Sequence, residues 1–216
     1  MRLHKTGHAI SDTVSDLIGE VPDGDYDIVY GILRHNLAES GRQTIFLDRG
    51  FWGADHYSGW YRLASGGTQP LYHDNGPSEP HGLELEPWID RDGYILLCPP
   101  SEHVCKFFGI NVFDWCYEAN KMAKGSTYLR SKNTESPIDW HNIKQVITFN
   151  STVGVEALRR GIPVISDPNH STIGSYVKQK GLDIDRDELL GFMQAHQFKL
   201  SDREKIHCLI NHYLSG

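Results

Sequence analysis

Residues 147–168 read ITFNSTVGVEALRRGIPVISDP. An apolar run delivers the chain to Asn150, Ser151 and Thr152, and a helix-like run follows at once. Small hydroxyl and amide side chains at such a junction accept hydrogen bonds from the free N–H groups of the first helical turn. The same N–H groups, at the positive end of the helix dipole, can instead hold a phosphate. A plain cap and an anion site both fit the local pattern. Gly154 in the first turn leaves out a side chain that would crowd a close ligand, and Glu156 and Ala157 let the helix lie along a sheet.

Charge points the same way. The 216 residues carry a formal net charge of −7, with 39% hydrophobic and 23% charged residues, which is a globular composition. The charge is uneven. Residues 1–120 hold 8 Lys/Arg against 18 Asp/Glu, whereas residues 121–180 hold 9 against 4. An acidic whole argues against a generic nucleic-acid binder. A basic middle segment suits a local anionic ligand, or a solvated face on which cations cluster by chance.

No run of 18 apolar residues is present, so no membrane span is expected. The first twenty residues lack the apolar stretch of a signal peptide. Cys98, Cys105, Cys116 and Cys208 form no CxxC pair and are expected as reduced thiols in a cytoplasmic setting. No metal is expected. The Asp-rich stretch 183–188 reads as the acidic start of a helix, and His207 and His212 are five apart, a poor ligand spacing.

The elements that must position these residues follow from hydrophobic periodicity and turn signals. Strands are expected at 25–33, 42–50, 93–100, 126–132, 144–150 and 162–167. Helices are expected at 112–123, 151–161, 184–196 and 202–214, with Gly161 ending the second. Residues 51–82, rich in Gly, aromatics, His and Pro, read as a long structured loop or several short pieces. The alternation of strands and helices predicts an α/β fold, a Rossmann-like parallel sheet with helices on both faces. Ligands of such sheets sit at the carboxyl ends of strands, beside helix starts.

The stretch FNSTVGVEALRRGIPVI resembles the carboxy-terminal donor-binding motif of GT-B-type glycosyltransferases, especially capsule and surface-polysaccharide transferases. The chain is also similar to small glycosyltransferase-like proteins of phages. That similarity rests on Gly31-Ile32-Leu33-Arg34, Asp48-Arg49-Gly50-Phe51-Trp52, Trp60-Tyr61-Arg62, Leu97-Cys98-Pro99-Pro100-Ser101, Arg130-Ser131-Lys132 and Asn150-Ser151-Thr152, in that order. Together these cover roughly residues 28–175. The resemblance implies a compact GT-B-like chain. Residues 1–92 would be a pruned acceptor half, and residues 93–216 a donor-binding half with terminal helices.

It also implies roles. The donor would be a UDP-, GDP- or CDP-sugar, whose leaving group develops negative charge that cations and N–H groups must stabilise. Arg130 and Lys132, two apart on a strand end, share one face and suit the diphosphate, together with Asn150, Ser151, Thr152 and Gly154. Glu156, His170, Ser171 and Thr172 would meet the ribose or the sugar. An inverting transfer needs a general base. Asp48 is the first candidate, with Asp55 or His56 second, and Trp52, Tyr57, Trp60 and Arg62 would form an acceptor platform.

Three functions are compatible with these residues. The first is a nucleotide-sugar-dependent glycosyltransferase acting on a glycan or small acceptor. The second is a phage-type enzyme glycosylating a hydroxymethylated DNA base, in which aromatics stack on the base. The third is a non-catalytic nucleotide-sugar or phosphate-binding module, for which the short length speaks. A homodimer is compatible with all three.

Overall fold

The computed structural model describes residues 2–3, 26–32, 43–53, 59–131, 134 and 136–215. The chain forms two compact units, one of residues 1–81 with 190–216 and the other of residues 82–189.

The second unit holds a four-stranded, wholly parallel sheet. Its strands are β5 (Tyr94–Cys98), β6 (Thr127–Leu129), β7 (Ile143–Thr148) and β8 (Val164–Ser166), in the order β6-β5-β7-β8. Helices α1 (Glu102–Phe108) and α2 (Val112–Met122) follow β5, α3 (Val153–Arg159) joins β7 to β8, and α4 (Thr172–Lys180) follows β8.

Side chains of β5 and β7 alternate between two covered faces, so both strands read as apolar runs. Ile95, Leu97 and Ile147 form a buried cluster with Ala119 of α2. On the opposite face Gly154 of α3 packs against Val164 and Thr148 of the sheet and Ile173 of α4. Helices thus cover both faces, as expected. Gly161 ends α3 with φ +64°, donating its N–H to Leu158 O while Ile162 N–H reaches Ala157 O. A Cβ there would collide with the carbonyl of Pro87, because residues 86–89 run alongside and Ile89 N–H donates to Gly161 O.

The first unit holds a mixed sheet. Its strands are β1 (Arg2–Leu3), β2 (Tyr26–Tyr30), β3 (Gln43–Arg49), β4 (Trp60–Ser65) and β9 (Gln197–Lys199). The first three are parallel, and β4 runs antiparallel to both β3 and β9. Two further helices are α5 (Arg186–Ala195), within which the chain passes from the second unit to the first, and α6 (Arg203–Leu214). Ile28, Ile45, Leu47, Tyr61, Leu63 and Phe198 line one sheet face, and Ile206, Leu209 and Ile210 of α6 seal it. Each such side chain stabilises the fold by about 1.5–3 kcal/mol on burial.

The architecture is therefore mixed α/β, with a Rossmann-like parallel sheet and six α-helices among the described residues. Several elements differ from the sequence reading. The 51–82 stretch contains β4, helices α1 and α4 form where the sequence named no helix, and β9 is an added strand. The chain divides after residue 81, and residues 190–216 return to the first unit, whereas the sequence reading drew the line at 92.

Candidate functional site

In the second unit the sheet order itself creates a crevice. The chain leaves β5 for one neighbour, β6, and returns on its other side as β7. The connections diverge between β5 and β7, and at such a switch point the strands' carboxyl ends are not covered. A cavity of about 370 Å³ lies there.

Three strand ends build it. From β5 come Cys98, Pro99, Pro100 and Ser101, with Val104 of α1. From β6 come Arg130 and Ser131, and from β7 come Asn150, Ser151, Thr152 and Val153, while Ile138 closes the wall. The double proline cannot continue the sheet, and Ser101 starts α1 by accepting Val104 N–H at 3.4 Å.

Thr148 ties the crevice together. Its Oγ1 donates to Cys98 O at 3.2 Å and accepts Ser151 N–H at 3.1 Å, joining the ends of β5 and β7. Ser151 Oγ accepts Val153 N–H at 3.3 Å, so Ser151 serves as the side-chain cap of α3, while Thr152 makes no capping bond. Burial pushes the Cys98 thiol up to about 11 against the opposing pull of Arg130. At neutral pH that sulfur is a protonated wall atom, not a nucleophile.

The Arg130 guanidinium is partly committed. Its Nη1 donates to Ser136 O at 2.7 Å and its Nη2 to Thr134 O at 3.1 Å, which fastens the segment leading to Ile138. A guanidinium has five N–H donors, so the charge at the cavity and the anchoring of its wall come from one side chain.

No family model matches the chain, and no curated protein matches it. Among solved structures it is similar to the beta Kdo 2,7 transferase KpsC of Thermosulfurimonas dismutans, at 14% sequence identity and a TM-score of 0.46. The match covers 95% of this chain and 90% of that one. At that identity and score the likeness assigns no residue and no activity here.

Of the residues singled out in the sequence, Arg130, Asn150, Ser151 and Thr152 line the cavity. Lys132 lies outside the described residues. Gly154 does not line it, and its missing side chain is explained by packing. An added Cβ would stand 3.0 Å from Ile173 and 3.3 Å from Val164. Glu156 is engaged by its own helix, with Arg159 at 2.9 Å and Arg160 at 2.8 Å. Ser171 and Thr172 are buried. Ser171 caps α4, its Oγ 2.7 Å from Ser166 Oγ. His170 is half-buried, its Nδ1 2.7 Å from Asp167 and its ring against Phe108 and Phe149.

The acceptor candidates belong to the first unit. Asp48 and Arg62 are cross-strand partners of β3 and β4, 3.3 Å apart, on the face turned from α6. The other Asp48 oxygen accepts Arg49 N–H at 2.8 Å. Arg62 is 5% exposed; its Nε donates to Thr68 O, and its guanidinium lies 4.8 Å over the Phe51 ring. It is a buried cation rather than a surface platform, and desolvation lowers its pKa while Asp48 opposes the shift. Trp52 is half-buried beside Phe51. Trp60 is covered by Lys199 at 5.3 Å. Asp55, His56 and Tyr57 lie outside the described residues.

Sequence reasoning did not single out Val104, Ser131 and Ile138 as lining residues. The signal available was topological: once β5 and β7 are neighbours, everything within a few residues of their carboxyl ends is a candidate.

Proposed function

We propose that the second unit binds a nucleotide sugar in the crevice between β5 and β7, and that the protein is a glycosyltransferase. The observation that carries this reading is the cavity of about 370 Å³ at the switch point of a parallel sheet, lined by Arg130, Asn150, Ser151 and Thr152. Its size falls in the ~300–1,000 Å³ range of small-molecule sites. The resemblance of residues 147–168 to a donor-binding motif, and the cation surplus of residues 121–180, support the same assignment. In the reaction the bond between the anomeric carbon and the phosphate oxygen breaks, and a bond to an acceptor hydroxyl oxygen forms. The hydroxyl proton passes to a base. The departing nucleoside phosphate gains charge, which Arg130 and the polar rim stabilise.

A second reading is a binding module without transferase activity. It is favoured by Asp48, the first candidate base, whose carboxylate is already engaged by Arg62 and by a backbone N–H.

The test is a thermal-shift screen against UDP, GDP, CDP, ADP and dTDP and their sugars. One nucleotide is expected to raise the melting midpoint, as binding to the folded state alone must. Asn150→Asp, which sets a carboxylate against the phosphates, and Val104→Trp, which fills the crevice, should each abolish that rise. No nucleotide response would end both readings. A response with no sugar transfer or donor hydrolysis would select the binding module.

A further inference from the structure

The first unit brings together three histidines that the sequence keeps far apart. His73 follows β4, His196 lies just past the end of α5, and His212 is in the last turn of α6. One ring nitrogen from each lies within 4.8 Å of the others. All three line a cavity of about 430 Å³, together with Gln43, Ser65 and Tyr213.

We propose that His73, His196 and His212 form a binding site for a zinc-class divalent transition ion, with a fourth coordination position open to the cavity. This rests on the first unit alone and is independent of the donor reading.

The geometry fits the chemistry. Zinc–nitrogen bonds of about 2.1 Å in a tetrahedron place ligand nitrogens ~3.4 Å apart. His73 and His212, both exposed side chains, would have to turn to close the observed spacing of up to 4.8 Å to that value. His196 is the fixed member, buried at 1% exposure. Its Nδ1 lies 2.8 Å from Phe192 O. A carbonyl only accepts, so Nδ1 carries the hydrogen and Nε2 carries the lone pair. A hydrogen bond from the other ring nitrogen to a carbonyl is how metal-bound imidazoles are oriented.

Competing roles are accounted for. Tyr213 Oη is committed to Leu63 O at 2.9 Å, and Gln43 Nε2 to Tyr213 O at 2.8 Å, so neither donor is spent on the imidazoles. Three imidazoles and no carboxylate select a borderline ion such as Zn²⁺ or Co²⁺ over Mg²⁺ or Ca²⁺. Three protein ligands leave the fourth place for water or a cavity-bound oxygen ligand.

The test uses the full chain, stripped with EDTA and exchanged into metal-free buffer. Titration with Co²⁺ should give the visible bands of a tetrahedral site, saturating at one equivalent. Zn²⁺, followed by competition with a chromophoric chelator, should displace Co²⁺, whereas Mg²⁺ and Ca²⁺ should not. His73→Ala and His212→Ala should each weaken Zn²⁺ by more than about 100-fold, the upper end of what loss of an outer-shell partner costs. Circular dichroism should stay unchanged, since both side chains are exposed. His207→Ala, on the same helix but outside the cluster, should bind as the parent does. Absence of stoichiometric binding overturns the proposal. So does binding in which His73→Ala and His212→Ala match the parent, or in which His207→Ala loses the ion equally.

Discussion

In the second unit Asn150 and Ser151 stand just past the end of a parallel strand, where the sheet order leaves a crevice. In the first unit Asp48 and Arg62 face each other inside an antiparallel strand pair, and the guanidinium is sealed from water. Both regions place charge or hydrogen-bonding groups against an apolar sheet. In one they end at an opening; in the other they pair with each other, and the buried Arg62 Nη1 is left without a hydrogen-bond partner. The contrast follows from connectivity. Parallel strands joined through helices bring their carboxyl ends to one side, so polar junctions gather there. An antiparallel pair sets residues of the two strands directly opposite, so complementary charges neutralise in place.

The largest effect should come from breaking the sealed pair. Arg62→Met leaves Asp48 and Thr68 O without their partner and should cost about 3 kcal/mol, the low end for a broken buried ion pair because Asp48 keeps a third of its side chain in water. Urea denaturation measures it. Adding Asp48→Leu to Arg62→Met should restore much of the loss. If the double variant is no more stable than the single one, the pair is not the reason for the cost.

A smaller effect should separate two glycines of like backbone. Gly161 in the second unit has φ +64° and Gly66 in the first has φ +73°. Nothing lies within 4 Å of a Cβ added at Gly66, whereas one at Gly161 meets the Pro87 carbonyl. Gly66→Ala should cost about 1–2 kcal/mol for the left-handed backbone alone. Gly161→Ala should cost more, because residues 86–89 must also move. Equal losses would show that this strap yields freely.

The smallest is a pH effect at the crevice floor. Folding raises the Cys98 thiol from 9.0 to about 11. The stability this contributes is full below pH 9 and is lost as pH climbs through about 11, at no more than about 1.4 kcal/mol per unit. Cys98→Ala should remove that limb of the stability curve relative to the parent. Iodoacetamide at pH 8 should label the exposed Cys208 well before Cys98.

How much was legible in the sequence depended on where the information sits. β5 and β7 could be read because both faces are buried, which leaves short unbroken apolar runs ending in polar residues. The crevice residues at 150–152 were legible for the same reason. β4 was hidden by Arg62, a charged residue at an inward position whose partner lies on another strand. Helix α1 carried a usable signal, Ser101 before it and Gly109 after it, which the double proline obscured. In α4 the Ser171 cap follows closely on Asp167-Pro168-Asn169, residues of turn type that mask a helix start. Strand β9 has three residues and exists through pairing with β4, so local propensity says little about it. The histidine cluster was out of reach because its members are joined by tertiary folding, not by helical spacing.

Arg130 spends two of its donors on the carbonyls of Thr134 and Ser136. The wall of the crevice and any anion inside it therefore draw on one supply of N–H groups. Occupancy and wall order become linked variables, and linkage is reciprocal: a ligand that changes the fastening of the wall has its own affinity changed by the same free energy. A substitution far out on that segment would then register as altered ligand affinity, without touching a residue that meets the ligand.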